Sequence, residues 1–158
     1  IRTGIQHSTG DVIVIQDADL EYDPNDFQYL IRPIIEGDAD VVYGSRRLKK
    51  ENEQHSALRF YIGGVVLTAI TNTLYPTANL TDEPTCYKAF RASVLRSIDL
   101  KCQRFEFCPE VTAKILRQGI NIIEVPISYN PRTVSQGKKI SWRDGVEAIW
   151  TLLKYRVL

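Results

Sequence analysis

Residues 12–15 read Val-Ile-Val-Ile, an apolar run of β-branched residues that ends directly in Gln16-Asp17-Ala18-Asp19. This stretch restricts the fold more than any other. β-Branched side chains favour extended backbone, and an unbroken apolar run needs cover on both faces of a sheet. Residues 11–15 are therefore expected to form a strand buried on both faces, as in a parallel sheet. The next segment fits that picture. Asp23 stands ahead of Pro24, a capping residue before a proline at the first helical position, and Gly37 closes the segment. Phe27, Leu30, Ile31 and Ile34 recur at helical spacing, so residues 24–36 are expected as a helix with one apolar face. Residues 39–43 give a second buried strand, closed by Gly44-Ser45-Arg46. Strand, helix and strand in this order form a βαβ unit and predict an α/β domain.

The remainder reads as alternating elements. Residues 49–56 are polar without an apolar period and are expected as a loop. A helix is expected over 57–74, a loop over 76–84, a short strand over 85–90 and a short helix over 92–98. A helix over 109–118 is stopped by Gly119, a strand follows over 120–129, and a basic loop covers 131–139. The longest apolar stretch, 60–70, is shorter than the roughly 20 apolar residues a spanning helix needs. Burial is its first reading, and a place in a membrane interface its second. The final helix, 142–157, carries Trp142, Ile149, Trp150 and Leu153 beside Arg143, Lys154 and Arg156. Such a helix suits a membrane surface, and equally a packed terminal helix.

At 158 residues, with 44% hydrophobic and 25% charged residues, the chain suits one globular domain. Twenty Lys and Arg against 19 Asp and Glu leave a net charge of +1, so no overall field favours nucleic acid. Cys86, Cys102 and Cys108 form no CxxC pair, and His7 and His55 stand alone. The spacing of a zinc site is absent, and free thiols in a reducing, cytoplasmic setting are expected. The chain has no Met and opens on Ile1, so it is read as a piece of a longer protein that lacks something before Ile1.

Asp17 and Asp19 lie two apart, so in extended backbone they point to one side. They sit beyond the carboxyl end of a strand, where open α/β sheets bind ligands. Two carboxylates there repel each other unless a cation joins them. Mg²⁺ or Mn²⁺ suits oxygen donors, and Mg²⁺ is commonly held by one or two carboxylates plus substrate phosphates. A nucleotide diphosphate is the expected ligand. An EF-hand is excluded, because Tyr22 stands where Gly is needed and Gln28 where Glu is needed. A phosphohydrolase of the haloacid dehalogenase type, with Asp17 as nucleophile, is an alternative. Against it, Glu21 replaces the usual Thr or Val, and its second acidic motif would fall early, at Gly37-Asp38-Ala39-Asp40. The plainest reading is a solvated acidic turn that caps the next helix, which Asp23 alone satisfies.

The strand followed by Asp17-Ala18-Asp19-Leu20-Glu21-Tyr22-Asp23-Pro24 resembles glycosyltransferase family 2, most of all its dolichyl- or polyprenyl-phosphate mannosyl- and glucosyltransferase branch. Further segments match in order. They are Ser8-Thr9-Gly10-Asp11, Gly44-Ser45-Arg46, Asp82 with Thr85-Cys86-Tyr87-Lys88-Ala89-Phe90-Arg91, Phe105-Glu106-Phe107-Cys108-Pro109-Glu110, and Glu124-Val125-Pro126-Ile127 with Arg132 and Gly137-Lys138-Lys139. Cys86 departs from the family, standing where Gly is common. The Gln-x-x-Arg-Trp segment of the processive synthases is absent.

The resemblance implies the GT-A fold, a Rossmann-like α/β sheet, with residues 1–158 as the C-terminal portion of one domain whose N-terminal nucleotide-binding half is missing. Activity is then not assured for these residues alone. It also implies inverting transfer of a sugar from a nucleotide-diphosphate donor of the GDP-mannose or UDP-glucose type. The acceptor would be dolichyl or polyprenyl phosphate or another lipid, met at the cytoplasmic face of a membrane. Asp17 and Asp19 would hold Mg²⁺ or Mn²⁺, with Glu21 as a third candidate ligand. Arg46, Arg132, Lys138 and Lys139 are candidates for binding phosphate, Asp82 is the first candidate for base or acceptor positioning, and Glu110 is the second. A non-catalytic module that binds nucleotide is the remaining rival.

Overall fold

The computed structural model describes residues 1–52, 58–132 and 141–158. Among these, four strands form one sheet: β1 (Val12–Ile15), β2 (Val41–Ser45), β3 (Lys88–Arg91) and β4 (Ile122–Pro126), in the order β1-β3-β2-β4. β2 and β4 are parallel, whereas β3 runs antiparallel to β1 and to β2. The α/β expectation holds, but β1 has no parallel neighbour among the described residues. β3 is inserted between β1 and β2, so the two strands of the βαβ unit share a direction without touching. Within β1 only Ile13 is buried, and Val12, Val14 and Ile15 are half-buried.

Side chains alternate across the sheet and build two cores. Ile13, Val41, Tyr43, Phe90 and Ile122 face α4 (Ala92–Ser97), α5 (Phe107–Arg117) and α6 (Trp142–Val157). Val42 and Ala89, with Val12 and Val14, face α2 (Phe27–Glu36) and Ile127. Leu30 and Ile34 of α2 are fully buried there, each contributing about 1.5–3 kcal/mol. The start of α2 follows its sequence signals. Pro24–Asp26 form a 3-10 turn, and the Asp23 carboxylate accepts a hydrogen bond from the Asn25 amide at 2.9 Å. Gly37 ends the helix at φ +86°, a left-handed conformation that suits glycine.

Gly44 is where β2 meets the segment after β4. A Cβ there would lie 2.7 Å from Ile127 Cγ2 and 2.8 Å from its Cδ1. Ile127 is fully buried and cannot retreat into solvent. Gly44→Ala is expected to cost about 1–3 kcal/mol through overpacking, read as a lowered midpoint in urea. An unchanged midpoint would mean that Ile127 repacks freely.

Several elements differ from the sequence expectation. α1 (Arg2–His7) was not anticipated; it buries only Ile5. The strand expected over 120–129 is limited to Ile122–Pro126. The larger correction is α3 (Leu58–Leu74), which was expected to be buried. Its buried residues are Thr68 and Thr71, while Leu58, Ile62 and Val66 are 70%, 50% and 46% exposed. The threonine hydroxyls satisfy themselves on the preceding turn, at Gly64 O (2.8 Å) and Leu67 O (2.9 Å), and Thr68 Oγ1 also accepts the Glu83 amide. The polar side of α3 can therefore face inward. α6 likewise exposes Trp142, Val146, Trp150, Leu153 and Val157, residues spaced three or four apart on one face. Among the described residues, no helix is long and apolar enough to cross a membrane.

Candidate active site

The acidic turn follows β1 directly. Asp19 Oδ1 accepts the Glu21 amide at 3.1 Å, and Leu20 between them adopts φ +62° with its side chain 90% exposed. A leucine in the left-handed region costs of order 1 kcal/mol. The turn sends Glu21 and Tyr22 inward, where Tyr22 bridges to Tyr129. Arg132 ties the turn to the far end of the chain. Its Nη2 donates to Asp19 Oδ2 at 2.6 Å, and its amide and Nε donate to Glu21 Oε1 at 3.0 and 3.3 Å. Glu21, a candidate metal ligand by sequence, is thus 7% exposed and joined to Arg132.

Asp17 lies beside this network, near the Cys86 thiol. Its carboxyl is lifted above its ordinary value, chiefly by desolvation and then by the charges of Asp19 and Glu21, against the pull of the Cys86 thiol and of Arg132. Three carboxylates therefore share the pull of Arg132. This is an oxygen donor set with excess negative charge at Asp17 and Asp19, the chemistry that a hard divalent cation relieves. Among the described residues, no group of three or more His, Cys, Asp or Glu side chains is arranged to hold a metal ion. Two carboxylates completed by ligand phosphates would suffice for Mg²⁺.

A second constellation sits at the end of β2. The Asp82 side chain is fully buried and takes three hydrogen bonds from Arg46: the amide at 3.0 Å and Nε at 2.7 Å on Oδ2, and Nη2 at 2.7 Å on Oδ1. Burial alone would raise the Asp82 carboxyl, but Arg46 holds it below its ordinary value. The Arg46 guanidinium also lies 5.1 Å from the centre of the Tyr129 ring. Glu124 on β4 fixes the turn from below. Its Oε2 accepts the Thr81 amide and hydroxyl at 2.6 and 2.7 Å, and its Oε1 accepts the Asp82 amide at 2.9 Å. The sequence had placed Glu124 only in the closing strand. Nothing local announces its role, because its partners lie 42 and 43 residues away.

Beside Asp82 opens a cleft of about 1010 Å³. Arg46, Arg47, Lys49, Lys50 and Arg59 line it together with Phe60, Leu67, Pro84, Phe105, Trp142 and Ile149. Cys86 also lines it. Arg47, Lys49 and Arg59 were missed by the sequence reading. The signal is the density of cations in Arg46-Arg47-Leu48-Lys49-Lys50, of which the sequence reading takes only Arg46 as a phosphate-binding candidate and places Lys49 and Lys50 in the polar loop 49–56. Arg47 is anchored to Thr81 O by Nη1, and Lys49 to Ser128 Oγ at 2.6 Å.

Glu110 stands apart from these groups. Its carboxylate accepts the Lys101 amide at 2.8 Å and the Cys102 amide at 2.6 Å and pairs with Lys114, so it is engaged in holding the 99–102 turn onto α5. The structure therefore places Glu110, the second sequence candidate, in a pair with Lys114 on α5. Tyr87 is a core residue and Phe105 a cleft wall. Lys138 and Lys139 lie outside the described residues. All three cysteines carry free thiols.

Comparison with known proteins supplies independent information. The family model for glycosyl transferase family 2 matches residues 1–99. The chain is 34% identical over 134 residues to an undecaprenyl-phosphate mannosyltransferase of Micrococcus luteus, covering 81% of this chain and 53% of that protein. It is 31% identical over 134 residues to a UDP-N-acetylglucosamine–dolichyl-phosphate N-acetylglucosaminyltransferase of Methanococcus voltae, covering 82% and 53%. The chain thus spans about half the length of these relatives. Among solved structures it resembles glucosyl-3-phosphoglycerate synthase of Mycobacterium tuberculosis in complex with Mn²⁺, UDP-glucose and phosphoglyceric acid. The TM-score is 0.69 at 15% identity, over 98% of this chain and 52% of that one. This likeness is one of fold, the GT-A architecture.

Proposed function

This chain belongs to glycosyl transferase family 2, and we propose that its protein transfers a sugar from a nucleotide-diphosphate donor to a polyprenyl phosphate, with inversion, at a membrane surface. The observation that carries this reading is the cleft beside Asp82, which combines cationic side chains with apolar walls in one cavity. A phosphate on a long hydrocarbon chain needs both. The names of the relatives support the same acceptor class. The exposed apolar faces of α3 and α6 support a lipid surface near the cleft, since both helices contribute to its lining.

Asp17 and Asp19 would hold Mg²⁺ or Mn²⁺, which when bound supplies Lewis-acid stabilisation of the departing diphosphate. The donor chemistry of these carboxylates fits such a cation, and a solved structure of the same fold contains Mn²⁺ with UDP-glucose. Glu21 acts on Arg132, keeping a guanidinium beside the acidic turn. Arg46 is oriented by Asp82 and by the Tyr129 ring, so its fork points one way without further ordering. Asp82 therefore positions Arg46, and an acceptor phosphate, already ionised, needs no strong base. The haloacid dehalogenase alternative falls with the family assignment.

The test uses the full-length protein with Mn²⁺ or Mg²⁺, labelled UDP-glucose or GDP-mannose, and a polyprenyl phosphate. Metal-dependent label in the lipid fraction is the expected result. Donor consumption without lipid labelling would discard the lipid acceptor, and binding without turnover would leave a nucleotide-binding module. In the same assay, Arg132→Ala is expected to slow transfer about a hundredfold, the scale of losing one transition-state donor. Its stability cost is about 1–3 kcal/mol, because the Asp19 pair is partly exposed but the Glu21 carboxylate is buried. Loss of activity only in proportion to loss of folded protein would make the role structural.

A further inference from the structure

Cys86 and Cys108 meet at the cleft with their Sγ atoms 3.9 Å apart. They come from different elements, Cys86 from the segment leading into β3 and Cys108 from the first turn of α5. Cys86 is half-buried and forms the outer thiol, while Cys108 is 6% exposed and lies behind it, 3.5 Å from Thr85 O. The third thiol, Cys102, belongs to the turn held by Glu110. Both Cys86 and Cys108 line the cavity, so a small thiol reagent that enters it reaches Cys86 first.

We propose that Cys86 and Cys108 are a modification site for low-molecular-weight disulfides, which convert the pair to an intramolecular disulfide. In the first step the Cys86 sulfur attacks one sulfur of R–S–S–R. A Cys86–S–S–R bond forms, the external S–S bond breaks, and R–SH leaves with the Cys86 proton. In the second step Cys108 Sγ attacks Cys86 Sγ and expels the second R–SH, which takes the Cys108 proton. Two protein thiols are oxidised and one external disulfide is reduced to two thiols. The pair is placed for the second step because its sulfurs are already 3.9 Å apart. The Cys108 contact, then burial and Asp17, hold the Cys86 thiol above its ordinary value, so the first step is expected to be slow at neutral pH. The bond would tie the segment before β3 to the first turn of α5 at the wall of the cleft.

The test begins with the reduced full-length protein, which is incubated with oxidised glutathione, quenched, alkylated and peptide-mapped by mass spectrometry. The expected product is a Cys86–Cys108 linked peptide that dithiothreitol reverses, with Cys102 alkylated. In Cys108→Ser one glutathionyl group should remain on Cys86, and in Cys86→Ala Cys108 should stay free. A stable glutathionyl adduct on Cys86 of the wild type, a bond to Cys102, or full alkylation of all three thiols would overturn the proposal.

Discussion

Asp82→Ala is expected to lower the unfolding free energy by about 3 kcal/mol, the cost of breaking a buried ion pair from one side. For a chain of this size that is a fall in Tm of about 10 °C. Asp82 has no exposed surface, and its two oxygens take three hydrogen bonds from Arg46, whose own side chain is 23% exposed. The variant leaves the guanidinium beneath Tyr129 with no counter-charge, and leaves the Arg46 amide without its acceptor. A control separates this cause from loss of shape. Asp82→Leu combined with Arg46→Met removes both charges and should recover part of the loss. If the double variant is as unstable as the two single losses summed, the ion pair is not what holds the turn.

The pH dependence follows from the same pair. The Asp82 carboxyl titrates lower in the folded protein than in the unfolded chain, because Arg46 outweighs its burial. Its stabilisation is therefore complete above the ordinary carboxylate value and is lost as pH falls through the depressed one. Wild type and Asp82→Ala should converge in stability at the acid end of a titration and diverge towards neutrality.

The parts of this fold that could be read in advance are those whose cause is local. The β1 run, the Asp23-Pro24 start and Gly37 stop of α2, and the spacing of α6 each carry their own signal, and α6 occupies Trp142–Val157 as expected. β3 does not announce itself as a central strand. Lys-Ala-Phe-Arg looks like an edge, yet Lys88 is fully buried because its ammonium lies 3.4 Å from the Tyr43 ring centre and donates to Glu83 O. That partner set exists only in the folded chain. α3 misleads for the opposite reason, since its hydroxyls bond to their own helix and can turn inward. At the site, the acidic turn that carries Asp17 and Asp19 directly after β1 is legible from the sequence. The pairing of Arg132 with Glu21 across 111 residues, the brace from Glu124 and the engagement of Glu110 at the 99–102 turn all depend on tertiary contact. No pattern in the sequence carries them.

Asp17→Asn separates function from stability in the opposite sense to Asp82→Ala. Asn keeps the shape of the side chain but removes the charge. In the folded protein that charge is disfavoured by desolvation and by Asp19 and Glu21. A carboxyl raised above its unfolded value contributes stability at low pH that is lost as pH rises through the folded value, so at neutral pH the charge works against folding. Asp17→Asn should leave Tm unchanged or slightly higher. Under the proposed function the same variant loses half of the carboxylate pair that would hold the cation. Lewis-acid stabilisation is worth several kcal/mol, so transfer should fall by about 10²–10⁴-fold. Metal-supported binding of the nucleotide sugar should vanish at metal concentrations that saturate the wild type. A folded Asp17→Asn protein that binds the donor as well as the wild type would remove Asp17 from the metal site. A fold that tolerates, or even gains from, losing this carboxylate while catalysis does not would mean that the charge is kept for what it binds rather than for what it holds together.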